Sequence, residues 1–159
     1  MDSTKPTRLE LLLLLLNTSG PSCLEDEPIR GRTRLRKEIF LAQKQLPKGL
    51  LSVSYPFIPF KYGPFCKEVY DDIQYAKKNG LLEERQDYQP DSGVIVEFRL
   101  TDKGQAEAKR MASTSDGKVL VGICADIKKE FNGMGVADLV RFTHEQYPGY
   151  VREETDAKE

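Results

Sequence analysis

The chain has 159 residues, a formal net charge of −1, 31% charged and 39% hydrophobic residues, three cysteines and one histidine. That length suits one domain whose core needs neither disulfide nor metal, and the near-zero balance excludes a global field that would draw the whole protein onto nucleic acid or an anionic membrane. Cys23, Cys66 and Cys124 are odd in number, far apart and without CxxC or Cys/His spacing, so they read as three reduced thiols.

In chain order, the apolar run 11–16 follows Lys5 and Arg8 in the manner of a signal peptide. Glu10 interrupts it, no good cleavage site follows, and it falls far short of the roughly 18 residues of a membrane span. It predicts instead a helix over 9–16, apolar all round and therefore covered by neighbouring elements. Residues 17–21 end that helix, and 22–31, polar and acidic with Pro28, read as a surface loop. Thr33 offers an N-cap for a second helix carrying Leu35, Ile39, Ala42 and Leu46 at helical spacing, stopped by Pro47-Lys48-Gly49. Residues 50–60, with Pro56 and Pro59, predict an extended connection.

A third helix is predicted with Pro64 in its first turn. Phe65, Val69, Ile73 and Ala76 share its apolar face, Lys67, Asp71, Gln74 and Lys78 its polar one, and Asn79-Gly80 ends it. Alternating residues 81–88 and 94–100 flank a turn at 89–93 and form a hairpin. Thr101 caps a fourth helix through Met111, residues 113–118 make a short polar break, and two further helices follow. Val119, Ile123 and Ile127 mark one of these, and Val136, Leu139, Val140 and Phe142 the other. Helix, hairpin, helix in this order is the recognition-helix-and-wing half of a winged helix. The expected fold is thus α+β and mostly helical: a winged helix-turn-helix domain over 1–112, a break at 113–118, a helical extension over 119–150 that is either part of the same compact unit or a dimerisation element, and a frayed tail over 151–159.

Five cations, Arg30, Arg32, Arg34, Arg36 and Lys37, surround the start of the second helix, where they oppose the positive end of its dipole. Two anions could explain them. Phosphate oxygens suit the planar fork of arginine, and the loop acids Glu25, Asp26 and Glu27 would instead give an intramolecular salt-bridge network. On the third helix, Lys67, Gln74 and Lys78 have the reach for base edges and phosphates, with Asp71 set among them, and Lys61 and Tyr62 precede the helix where a duplex backbone would pass. The hairpin argues the other way. Its turn holds Asp91 and no cation, and its first arm carries Glu83 and Glu84 against Arg85, which fits a structural element or a protein-contacting edge better than a wing drawn into a minor groove.

Catalysis finds little support. His144 has no candidate nucleophile nearby in sequence, none of the cysteines sits in an activating motif, and the acidic pairs Asp71-Asp72 and Glu83-Glu84 diverge because adjacent side chains point apart. No phosphate-binding glycine loop or metal-ligand spacing occurs, so no cofactor and no metal is expected.

Three segments, Pro28-Ile29-Arg30-Gly31-Arg32-Thr33-Arg34-Leu35, Phe60-Lys61-Tyr62-Gly63-Pro64-Phe65 and Leu100-Thr101-Asp102-Lys103-Gly104, together with Asp138 to Pro148, resemble the YwgA-like winged-helix proteins, which are related to the SocA-like, or Panacea, antitoxin-type domains. The resemblance implies a prokaryotic, cytoplasmic, non-catalytic regulator, antitoxin-like neutraliser or accessory subunit. Two expectations follow. The first is a regulator, dimeric through the two C-terminal helices, that holds duplex DNA with Arg30, Arg32, Arg34, Arg36, Lys37, Lys61, Tyr62, Lys67, Gln74 and Lys78. The second is a protein-interaction adaptor on the same fold, bound to a toxin or a defence-system subunit. Neither involves a membrane.

Overall fold

The computed structural model describes residues 5–22, 27–91 and 93–152. Within them the fold is α+β: six helices and one three-stranded antiparallel sheet. The first helix, α1 (Arg8–Asn17), opens on a reciprocal cap. The Thr7 hydroxyl accepts from the Glu10 amide at 3.2 Å, and the Glu10 carboxylate accepts from the Thr7 amide at 2.8 Å. Glu10, which interrupts the apolar run in sequence, thus starts the helix. Leu11 to Leu16 are all 0% exposed. Six consecutive buried positions cover every face of a helix, so α1 is the centre of the molecule, with the later helices and the sheet packed round it.

The expected surface loop at 22–31 contains a short strand, β1 (Ile29–Arg30), that periodicity cannot reveal in two residues. Its Ile29 is fully buried and pairs with Phe98. The second helix, α2 (Arg32–Gln45), follows at once, capped by Gly31 and not by Thr33. Gly31 has φ 95° and donates its amide to the Val96 carbonyl at 2.6 Å, so the chain turns straight from sheet to helix and Thr33 falls inside the first turn.

The connection after α2 is extended, as its prolines predict, but it runs further than expected. Ile58 and Phe65 exchange backbone hydrogen bonds of 2.8 and 2.9 Å, which holds Phe65 in a bridge, so Pro64 lies ahead of α3, which starts only at Lys67 (Lys67–Lys78). The apolar face over Val69, Ile73 and Ala76 is buried as the spacing predicts. Strands β2 (Leu82–Gln89) and β3 (Gly93–Leu100) form the predicted hairpin with Leu82 opposite Leu100 and Gln89 opposite Gly93, and the sheet order is β1-β3-β2. Val96, Phe98 and Leu100 point into the core.

Helix α4 (Asp102–Ala112) is capped by Thr101, and α5 (Ser115–Phe131) by Thr114. The polar break is therefore shorter than 113–118, because residues 115–118 already lie in α5. That helix packs on α1, α2 and α4 and buries Leu120, Cys124, Ile127 and Phe131 there, so its apolar face is used within the protomer. The last helix, α6 (Val136–Gln146), packs on α2 and leads into a 3-10 turn, Pro148–Tyr150. Beyond it, Val151 bridges Phe60, and Arg152 donates its amide to the Phe60 carbonyl at 3.0 Å while its guanidinium stacks over the Phe60 ring, so the tail is anchored through Arg152. Residues 153–159, and likewise Cys23, Glu25 and Asp26, lie outside the described residues. Among the described residues no helix is long and apolar enough to cross a membrane.

Two glycines give opposite expectations for one substitution. A Cβ on Gly104 would stand 2.0 Å from the Leu81 carbonyl oxygen, whereas one on Gly122, in the interior of α5, would meet open space. Gly104→Ala is expected to lower unfolding free energy by roughly 1–3 kcal/mol or more, and Gly122→Ala to raise it by about 0.5–1 kcal/mol, both read from urea denaturation.

Candidate functional site

The cations around the start of α2 are engaged with the protein itself. Arg30 reaches Asp87 at 3.0 Å and Glu97 at 3.4 Å on the hairpin. Arg32 donates to Glu84 at 3.0 Å, and Lys77 of α3 donates to the other oxygen of the same carboxylate at 3.1 Å. Arg34 gives its guanidinium to the carbonyls of Phe131 (3.0 Å) and Arg30 (3.2 Å). The salt-bridge network weighed against phosphate is thus present, but its acids belong to the hairpin. Of the loop acids, Glu27 is occupied elsewhere: it accepts from the backbone amides of Gly20 and Ser22, from the Ser22 hydroxyl and from Asn132. Burial works to raise its pKa, and these hydrogen bonds outweigh burial and hold it below the usual carboxylate value.

Arg36 and Lys37 are not surface cations, and their assignment to nucleic-acid binding is corrected. Arg36 is 7% exposed, donates to the Pro64 carbonyl at 2.9 Å and the Tyr70 hydroxyl at 3.2 Å, and lies over the Phe65 ring. Lys37 is 0% exposed and donates to the Tyr62 carbonyl at 2.5 Å. The reason is local. Residues 62–65 cross this side of α2 as a backbone segment whose carbonyls need donors, and the two long side chains supply them. Gly63 makes the crossing possible, because a Cβ there would stand 2.7 Å from the Lys37 amine and its φ is 103°. Burial, with the Arg36 charge beside it, pushes the Lys37 ammonium down to about 8.

The remaining predicted residues stay at the surface. On α3, Lys67 pairs with Asp71 at 3.0 Å, and Gln74 and Lys78 are exposed on the same side. Tyr75 is 56% exposed beside them, an aromatic that the polar-versus-apolar reading of this helix passed over. Lys61 and Tyr62 are exposed on the turn before α3, with the Lys61 amine 5.5 Å from the Tyr62 ring centroid. Tyr62 therefore presents its ring to solvent while its carbonyl is held from below by Lys37. The hairpin adds a second exposed pair: Tyr88 and Val94, 70% and 60% exposed, face each other across the strands.

The interior holds groups that bear on chemistry. The Cys66 thiol is buried, donates to Glu68, and is pushed up to about 11, chiefly by burial. Burial raises Cys124 to about 12. Neither offers the thiolate that a nucleophile requires. His144 Nε2 is buried, lies beside Gly63 and has no hydrogen-bond partner among the described residues. Among the described residues no group of three potential metal ligands occurs. Glu38, 0% exposed, has no hydrogen-bond partner for either oxygen among the described residues. Its neighbour Lys128 spends its amine on the Leu16 and Thr18 carbonyls at 3.1 and 2.8 Å, closing the C-terminal end of α1. Burial pushes Glu38 up to about 8 despite the charges of Lys128 and Arg34, so its carboxyl is largely protonated at neutral pH.

Two predictions follow from burial. Arg36→Met strands the Pro64 carbonyl and the Tyr70 hydroxyl and should cost ~1–3 kcal/mol in urea unfolding, whereas Arg32→Met, at an exposed ion pair, should cost under ~1 kcal/mol. For Glu38, a folded pKa above the unfolded one means stability that is present in acid and lost as pH rises through about 8. Glu38→Gln should therefore gain on the wild type between pH 5 and pH 9, by on the order of 1–3 kcal/mol, and equal pH profiles for the two proteins would refute a protonated Glu38.

No protein-family model matches the chain, and no curated protein matches it.

Proposed function

We propose that the chain is a non-catalytic winged-helix protein of the YwgA-like kind that works in the cytoplasm through contact with another protein, as a neutralising or accessory subunit of a prokaryotic assembly. The order α1, β1, α2, α3, then the β2–β3 hairpin, with sheet order β1-β3-β2, supports the winged-helix assignment. The observation that carries the functional reading is the fate of the cations. Arg36 and Lys37 hold up backbone carbonyls inside the fold, and Arg30 and Arg32 are neutralised by Asp87, Glu97 and Glu84, so the α2 part of the phosphate footprint implied by the sequence is engaged within the fold. What is left uncovered is aromatic and mixed in charge. Tyr62, Tyr75 and Tyr88 are each more than half exposed, and tyrosine is enriched where proteins meet.

A second reading keeps duplex DNA as the ligand, with α3 as the reading element and a homodimer doubling its footprint. It is favoured by the exposure of Lys67, Gln74 and Lys78 on one helix, and it predicts that Lys67→Glu with Lys78→Glu abolishes any low-salt affinity for duplex. For the leading reading, the test is a tagged pull-down from the native host at physiological salt. A stoichiometric second protein, lost when Tyr75→Glu and Tyr88→Glu are combined, is the expected result. Recovery of the bait alone would sink it.

A further inference from the structure

Away from the hairpin, α2, α5 and α6 enclose a cleft of about 360 Å³. Its floor is apolar: Leu41 and Ile127 are buried, and Ile123 and Phe142 are half-covered. The two outer helices meet through Phe131 and Phe142, whose ring centroids are 5.0 Å apart. On its rim stand Asp126 and Glu130, four residues apart on α5 and both exposed. Among the described residues neither carboxylate has an ion-pair or hydrogen-bond partner. This sets them apart from Glu84, Asp87 and Glu97 on the hairpin, each of which has an arginine within reach. Gln45 and Gln146, also lining the cleft, are the last residues of α2 and α6, so the negative ends of two helix dipoles add to the two carboxylates.

An apolar floor with an unneutralised negative rim selects one kind of occupant. A purely apolar segment would leave the carboxylates unanswered, and an acidic one would be repelled by them. We propose that this cleft receives a short segment of the partner protein in which an arginine or lysine lies within a helical turn of an aliphatic side chain. The aliphatic group fills the space between Ile123 and Phe142, and the cation meets Asp126 and Glu130. The inference rests on the protein-contact reading above and names the chemistry of the partner at one surface.

The test is selection from a phage-displayed library of random peptides about twelve residues long on the immobilised full chain. In parallel the library meets the Asp126→Lys/Glu130→Lys chain, with Asp126→Asn/Glu130→Gln as a milder companion, and circular dichroism melts check that all three are folded. Enriched peptides should pair a basic residue with leucine, isoleucine or phenylalanine. As synthetic peptides in fluorescence anisotropy they should bind the wild type roughly tenfold tighter than the charge-reversed chain, the neutralised chain falling between. No enrichment over bare support, enrichment of acidic or uncharged sequences, or equal affinity for all three chains would overturn the proposal. In the pull-down, a partner still held by the charge-reversed chain sinks the cleft and spares the protein-contact reading, while a wild-type bait with no partner sinks that reading itself.

Discussion

Everything in this molecule is arranged to keep α1 dry. Six adjacent leucines, none exposed, give a helix with no side to turn toward water, so other elements have to close round it: α4 and α5 on flanking sides, the inward face of β3, and α2. Fully burying each such side chain contributes roughly 1.5–3 kcal/mol. The same burial creates a polar problem at the helix ends, because terminal backbone groups carried into an apolar interior need partners. The start of α1 lies nearer solvent and is capped by the Thr7–Glu10 box; at the buried end the Lys128 amine supplies the partner, arriving from α5 at the carbonyls of Leu16 and Thr18. Glu38 shares this low-dielectric region, and burial raises its pKa to about 8 although the Lys128 charge works the other way.

The same logic of buried backbone seeking donors accounts for α2. Its sequence puts cations where a helix dipole disfavours them, and the structure resolves that oddity without any ligand. Arg36 and Lys37 turn inward to hold the carbonyls of Pro64 and Tyr62, fixing the segment from which α3 departs, while Arg30 and Arg32 tie α2 to the hairpin. Glu84 is the joint, since one carboxylate receives Arg32 from α2 and Lys77 from α3. The position of α3 relative to α2, which in a short helix-turn-helix is set by the turn, is set here by these side chains across a long connection. Cations of α2 that look in sequence like a surface for phosphate are thereby used as scaffold, while Tyr62, Tyr75 and Tyr88 stay exposed.

Much of the fold can be read from sequence because its signals are long. Six-residue apolarity in α1, the helical spacing of Val69, Ile73 and Ala76, the alternation of Val96, Phe98 and Leu100, and the threonine cap at 101 each report on a local structure that tertiary contacts reinforce. The misses are tertiary. Two residues at Ile29 and Arg30 have no periodicity, and they form a strand only because β3 offers an open edge. Phe65 has the right spacing for α3, yet its backbone is claimed by Ile58. Arg36 and Lys37 have the right chemistry for phosphate, but which way a long side chain points depends on what backbone passes over it, and that is decided some twenty-five residues later at Tyr62 and Pro64. The cleft beside Asp126 and Glu130 was equally hidden, since it exists only where α2, α5 and α6 come together.

The central claim, that the cations of α2 serve the fold and leave no phosphate footprint, is tested most directly by fluorescence anisotropy of a random-sequence DNA duplex titrated with the full chain from ~50 to ~200 mM salt. Absence of submicromolar binding at the lowest salt is the result these contacts predict. Submicromolar affinity that falls steeply as salt rises, and that survives Lys67→Glu with Lys78→Glu, would contradict them, because it would require several of the α2 side chains to leave their intramolecular partners for phosphate.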